Sequence, residues 1–118
     1  FSIKARLNSF VYAFAGIKAF LRFEPQALIH LIATISVIIA GFYFEINKYE
    51  WIAVVFAIGI VVVSEMLNTA IEKLTDMVSP EIHPKAKVVK DLAAGAVLMA
   101  SIAAAVIGMI VFLPKVVN

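Results

Sequence analysis

Apolar residues gather along this chain in three long runs, with polar residues confined to short connections between them. The first run, 27–44, follows Glu24-Pro25, and proline is well tolerated in the first turn of a helix because its missing N–H would be unpaired there anyway. The second run covers 51–71, and the third covers 92–113 and is expected to be closed by Pro114. About 20 apolar residues cross a hydrocarbon layer ~30 Å thick. Lipid offers the backbone no hydrogen bonds, so each run is predicted to be a transmembrane helix. Ahead of them, Ile3, Leu7, Phe10, Phe14, Ile17 and Leu21 recur at spacings of three or four, while Lys4, Asn8, Lys18 and Arg22 lie elsewhere on the wheel. Residues 1–23 therefore read as an amphipathic helix lying on the membrane surface. A signal peptide is the competing reading, but Lys18 interrupts the apolar run and no convincing small-residue cleavage site follows. The pattern predicts an all-α membrane protein, with three transmembrane helices and an N-terminal surface helix in a single membrane domain, 1–118.

Composition supports the membrane reading: of 118 residues, 64% are hydrophobic and 15% charged, more apolar surface than a soluble chain of this size can hide. The absence of cysteine excludes disulfides, thiolate catalysis and cysteine-ligated metals. Lys4, Arg6, Lys18, Arg22, Lys73, Lys85, Lys87 and Lys90 fall on one side of the predicted membrane, and only Lys48 and Lys115 on the other, which places the first group in the cytoplasm. These basic residues form no dense tract, so anionic head groups, and not nucleic acid, are their expected partners. Tyr43, Tyr49 and Trp51 surround the connection at the far face, as an aromatic belt does. Ala96, Ala100, Ala104 and Gly108 put a small residue at every fourth position of the third span. Such a stripe lets a helix approach closely, either within one protomer or between copies.

Chemistry concentrates at one end of the second span. At ~100° per residue, Glu65, Asn68, Glu72 and Asp76 share an arc of about 80°. Fourteen residues separate Glu65 from Trp51, or ~21 Å of rise, so Glu65 is expected below the head groups in the inner leaflet. A carboxylate there costs ~2.5–3.5 kcal/mol on insertion scales and calls for a role or a partner. A structural carboxylate bonded across the bundle is the plainer reading. Glu72 lies ~10 Å further along, at the cytoplasmic interface, in the same layer as Glu24. Two carboxylates at that depth suit Mg²⁺, which completes its shell with water and phosphate oxygens. Solvated interfacial charges are the alternative. The connection Ser79–Asp91 carries His83, Lys85, Lys87, Lys90 and Asp91, which can meet ligand phosphates or only mark the inner face. His83, before Pro84, also suits a turn or cap. No Walker loop, no G-x-G-x-x-G and no H-E-x-x-H is present.

Glu65-Met66-Leu67-Asn68-Thr69-Ala70-Ile71-Glu72, then Asp76, then His83-Pro84-Lys85-Ala86-Lys87-Val88-Val89-Lys90-Asp91-Leu92-Ala93-Ala94-Gly95-Ala96-Val97 closely resemble the prokaryotic diacylglycerol kinase family. The likeness extends to Phe10, Tyr12, Ala13, Gly16 and Glu24, and so covers essentially the whole chain. It implies a small homotrimeric kinase of the bacterial inner membrane, multi-pass, with its N-terminus on the cytoplasmic side. Its active sites would form there between neighbouring protomers, using Mg²⁺ and ATP. Carried over by position, Glu65 resembles the general base that takes the proton from the lipid hydroxyl. Glu24 and Glu72 would hold Mg²⁺, and Arg6, Tyr12, Asn68, Glu72, Asp76, His83, Lys90 and Asp91 would bind ATP. The family has branches acting on undecaprenol and on diacylglycerol. Glu24 with His30 six positions on, together with His83-Pro84, resembles the undecaprenol branch more. A small oligomeric proton or cation transporter would account for Glu65 but not for Glu72, Asp76, Lys90 and Asp91. A purely structural scaffold would account for the small-residue stripe alone.

Overall fold

The computed structural model describes residues 2–117. They form α1 (Ile3–Phe23), α2 (Pro25–Tyr43), α3 (Lys48–Val78) and α4 (Pro84–Val117), with no strand among the described residues. Three of the helices, α2, α3 and α4, are long and apolar enough to cross a membrane. The chain divides into two compact units, one ending at Ser36 and the other starting at Val37.

In the first unit, Ser2 caps α1, its hydroxyl accepting a hydrogen bond from the Ala5 N–H at 3.3 Å. The face carrying Ile3, Leu7, Phe10 and Phe14 stays exposed, so α1 presents an uncovered apolar stripe. The helix ends at Glu24, whose extended backbone is what a residue preceding proline adopts. Glu24 still joins both helices: its N–H donates to the Phe20 carbonyl at 3.1 Å and its own carbonyl accepts from Ala27 at 3.0 Å. Pro25 then opens α2, as expected for proline in a first turn.

In the second unit, α2 ends in a Schellman motif. The Ile46 N–H donates to the Gly41 carbonyl and the Glu45 N–H to the Phe42 carbonyl, with Glu45 in the left-handed region at φ 51°. Ile46, the apolar residue that follows such a turn, is buried against Val54 and Val111. Asn47 at once starts α3 with a capping box: its amide oxygen accepts from the Glu50 N–H at 2.9 Å, and its own N–H donates to the Glu50 carboxylate at 3.0 Å. Trp51 folds back over Gly41, where a Cβ would stand 2.5 Å from the indole ring. Glycine is required there by contact, not by φ.

Helices α3 and α4 pack along their length, antiparallel, and an ion pair ties each end. Lys115 meets Glu50 at 3.2 Å at one end, and Lys90 meets Asp76 at 2.5 Å at the other. Twenty-six residues separate Glu50 from Asp76 along α3, or ~39 Å of rise, about the thickness of a bilayer with its head groups. Buried Val54, Ala57 and Glu65 mark the inner face of α3, and buried Ala93, Ala100 and Val111 that of α4.

The helices run beyond the spans expected from the apolar runs. α3 continues to Val78 instead of stopping at 71, and α4 begins at Pro84 instead of 92. Hydrophobicity marks only the immersed part of a helix, whereas the extensions carry polar residues that pair with one another, as Asp76 and Lys90 do. Pro114 does not close the last helix, which continues to Val117. Proline removes one bond to the fourth preceding carbonyl, a loss that membrane helices tolerate. The small-residue stripe is also divided: Ala100 is buried within the protomer, whereas Ala96 faces outward into a shallow apolar groove with Leu92, Gly95 and Met99.

Candidate active site

The polar face of α3 forms a ladder graded by exposure. Glu65 continues the inner face begun by Val54 and Ala57 at helical spacing, and is the one buried charged residue among those described, 8% exposed. One turn on, Asn68 is half-buried; a further turn brings the exposed Glu72, and another the exposed Asp76. The rises from Glu65 are ~4.5, ~10.5 and ~16.5 Å, so one helix face leads from a buried carboxylate to open solvent.

Asn68 and Glu72 are joined: the Asn68 amide N–H donates to a Glu72 carboxylate oxygen at 3.1 Å. That bond leaves the amide oxygen of Asn68 buried and without a hydrogen-bond partner among the described residues. A buried orphan oxygen costs stability unless something satisfies it. With the carboxylate of Glu72 one turn away, the two make a hard, oxygen-only donor pair, the chemistry Mg²⁺ prefers. No group of three or more His, Asp or Glu side chains gathers into a metal cage among the described residues.

At the solvent end of the ladder, α3, the connection 79–83 and the start of α4 line a small open cavity of about 220 Å³. Its lining includes Asp76, Glu81, His83, Lys87, Lys90 and Asp91. Helix geometry supplies the arrangement: Lys87 and Asp91 are one turn apart on α4 and pair at 2.6 Å, while Lys90 reaches across to Asp76 on α3. His83 is the cap of α4, its Nδ1 accepting the Lys85 N–H at 3.1 Å and its carbonyl accepting the Lys87 N–H at 3.0 Å. The ring thus lines the cavity with Nδ1 committed to the backbone.

Four of the residues expected at a nucleotide site, Asp76, His83, Lys90 and Asp91, thus line one cavity, and two more, Asn68 and Glu72, share a hydrogen bond on the ladder leading to it. Arg6 lies in the first turn of α1, Tyr12 is exposed at the middle of that helix, and Glu24 forms the α1–α2 junction. These three belong to the first unit. The sequence alone gives Glu81 no role, and it does not single out Lys87 from the other lysines of the 79–91 connection that can meet ligand phosphates or only mark the inner face. The signal for Lys87 was its i, i+4 spacing to Asp91.

The profile of the prokaryotic diacylglycerol kinase family matches residues 11–112. Among characterised proteins, the chain is 41% identical to the undecaprenol kinase of Bacillus subtilis over 108 residues, covering 92% of this chain and 88% of that one. It is 34% identical to the diacylglycerol kinase of Synechocystis, covering 95% of this chain and 65% of the relative. To the diacylglycerol kinase of Pseudomonas aeruginosa it is 30% identical, with 83% and 80% covered.

Proposed function

The chain belongs to the prokaryotic diacylglycerol kinase family and is a lipid kinase, and from that premise we propose that it phosphorylates undecaprenol at the cytoplasmic face of the membrane, with ATP as donor. The observation that carries this reading is the ladder on α3, which joins a buried carboxylate to a charged, solvent-open cavity. A lipid hydroxyl stays in the bilayer and a nucleotide stays in water, so an enzyme joining them needs one group at each level and a line between them.

Glu65 is the general base. Its carboxylate takes the proton of the lipid hydroxyl as that oxygen attacks the γ-phosphorus; the new O–P bond forms, the bond to the β-phosphate oxygen breaks, and ADP leaves. Asp76, His83, Lys90 and Asp91 position the nucleotide, and Asn68 holds Glu72 in place by the hydrogen bond already described. Arg6 and Tyr12 on α1 complete the nucleotide contacts, on the family's pattern. Glu24 and Glu72 would hold Mg²⁺, which neutralises phosphate charge when bound. Phosphoryl transfer asks chiefly for positioning and charge neutralisation, so the absence of a glycine-rich phosphate loop is no obstacle. Three copies share their active sites between neighbouring protomers, as the family pattern implies, and α1 rests its uncovered apolar stripe on the inner leaflet.

Undecaprenol is favoured by the identity to the Bacillus subtilis enzyme and by Glu24, His30 and His83-Pro84. Diacylglycerol is the second reading, favoured by the names of the other relatives. Purified protein in detergent–lipid micelles, given labelled γ-ATP and both lipids in parallel, decides between them. Faster transfer to undecaprenol supports the first reading, faster transfer to diacylglycerol replaces it with the second, and transfer to neither contradicts both.

A further inference from the structure

Two lysines at the start of α4, Lys85 and Lys87, stand two residues apart and so project to different sides of the helix. Lys85 borders an apolar groove formed with Leu74, Val78 and Val89. Lys87 lines the cavity whose charged side chains also include Asp76, Lys90 and Asp91. We infer that Lys87 is a further phosphate ligand of the nucleotide, held ready by Asp91 and released to the polyphosphate when ATP enters. The inference rests on the reading of that cavity as the nucleotide site.

Charge within the cavity supports it. Asp76, Glu81 and Asp91 set three carboxylates against the ammonium groups of Lys87 and Lys90, so the lining of the cavity is not electropositive. A polyphosphate of several negative charges is poorly received there by Lys90 alone, which Asp76 already engages across the helix pair. Lys87 is the second cation within the same lining, and its side chain is 73% exposed, free to swing on a four-carbon stem. Its partner is only an exposed i, i+4 carboxylate, and such pairs hold weakly in water. A polyphosphate offers an ammonium group several negatively charged oxygens, where Asp91 offers a single carboxylate. Ligand entry therefore exchanges one partner for a better one, and Asp91 is freed at the same moment to face the rest of the nucleotide.

The test uses the full chain in detergent–lipid micelles and four variants, Lys87→Met, Lys87→Arg, Lys85→Met and Lys90→Met, with folding checked by helical circular dichroism. Two quantities are read: the ATP concentration giving half-maximal rate, and the inhibition constants of inorganic triphosphate and of adenosine. Lys87→Met raises the half-maximal ATP concentration about tenfold, equivalent to about 1.4 kcal/mol. It weakens inorganic triphosphate by a similar factor and leaves adenosine unchanged. Lys87→Arg restores binding to within about twofold, because charge is kept, and Lys85→Met behaves as the parent. The assignment is overturned if Lys87→Met binds ATP and triphosphate like the parent while Lys90→Met does not; the cavity reading then survives without Lys87. If neither Lys87→Met nor Lys90→Met changes nucleotide affinity, both the assignment and the cavity reading fall. Equal weakening by Lys85→Met and Lys87→Met also overturns it, since general surface charge would then account for the effect.

Discussion

Asn68 is the residue at which two demands on the α3 ladder meet, because its amide N–H orients the Glu72 carboxylate while its amide oxygen lies buried and unsatisfied. A polar atom kept in that state is a cost to folding that function can explain. Replacing Asn68 with leucine removes the orphan oxygen together with an exposed hydrogen bond, so the two effects on stability oppose each other. Asn68→Leu is expected to unfold within about 1 kcal/mol of the parent in a detergent thermal melt. Its phosphoryl transfer is expected to fall about a hundredfold, the loss typical of removing one preorganised polar group. A variant that keeps full activity would show the ladder to be structural. Part of this was legible in the sequence: the arc shared by Glu65, Asn68, Glu72 and Asp76 follows from helical period alone. The burial of Glu65 against the helix pair was not, since distance along the span gives a depth in the membrane and not packing inside the protein. The Asn68–Glu72 bond and the Lys87–Asp91 pair were not specified, since i, i+4 spacing permits a contact without choosing the rotamers that make it.

Among the helices, the apolar runs located the three spans because hydrocarbon leaves few other structures possible. They misjudged the ends. Residues beyond the hydrocarbon pay no penalty for polarity, so α3 and α4 extend as helices into the layer where Asp76 and Lys90 pair, and that extension builds the walls of the cavity. The reversal between α2 and α3 was equally hidden, because Glu45 supplies the left-handed residue that glycine commonly provides. The Trp51 ring lies against Gly41 beside that reversal. Gly41→Ala is expected to lower stability by about 1–3 kcal/mol, the usual cost of overpacking a close contact. A thermal melt in detergent measures it, and adding Trp51→Leu is expected to return part of the loss. An unchanged midpoint for Gly41→Ala would mean that the indole does not occupy that position.

At the scale of the whole molecule, most large apolar side chains of the spans face outward, among them Ile29, Phe42, Val55, Leu98 and Ile110. Lipid and neighbouring copies are the surroundings that can cover them. The absence of cysteine makes the arrangement directly measurable, since any introduced thiol is the only one in the chain. Glu81→Cys, in the connection beside the cavity, is expected to react with a membrane-impermeant maleimide from the cytoplasmic side alone, and Tyr49→Cys from the opposite side alone. Labelling both from one side would contradict the orientation drawn from the eight-to-two distribution of Lys and Arg. In the same preparations, native mass measurement is expected to find three copies of the 12.8 kDa chain.

Labour is divided along α3 in this proposal: Glu65 acts on the lipid inside the membrane, and the charged end of the helix pair binds the nucleotide outside it. Glu65→Gln tests it most directly, because the amide keeps the shape of the side chain and removes its basicity. Turnover and ATP binding are measured on the same purified variant. Phosphoryl transfer is expected to fall about a thousandfold, as loss of a general base does, while ATP affinity stays within about twofold. Retained turnover, or ATP binding lost in step with turnover, would contradict it.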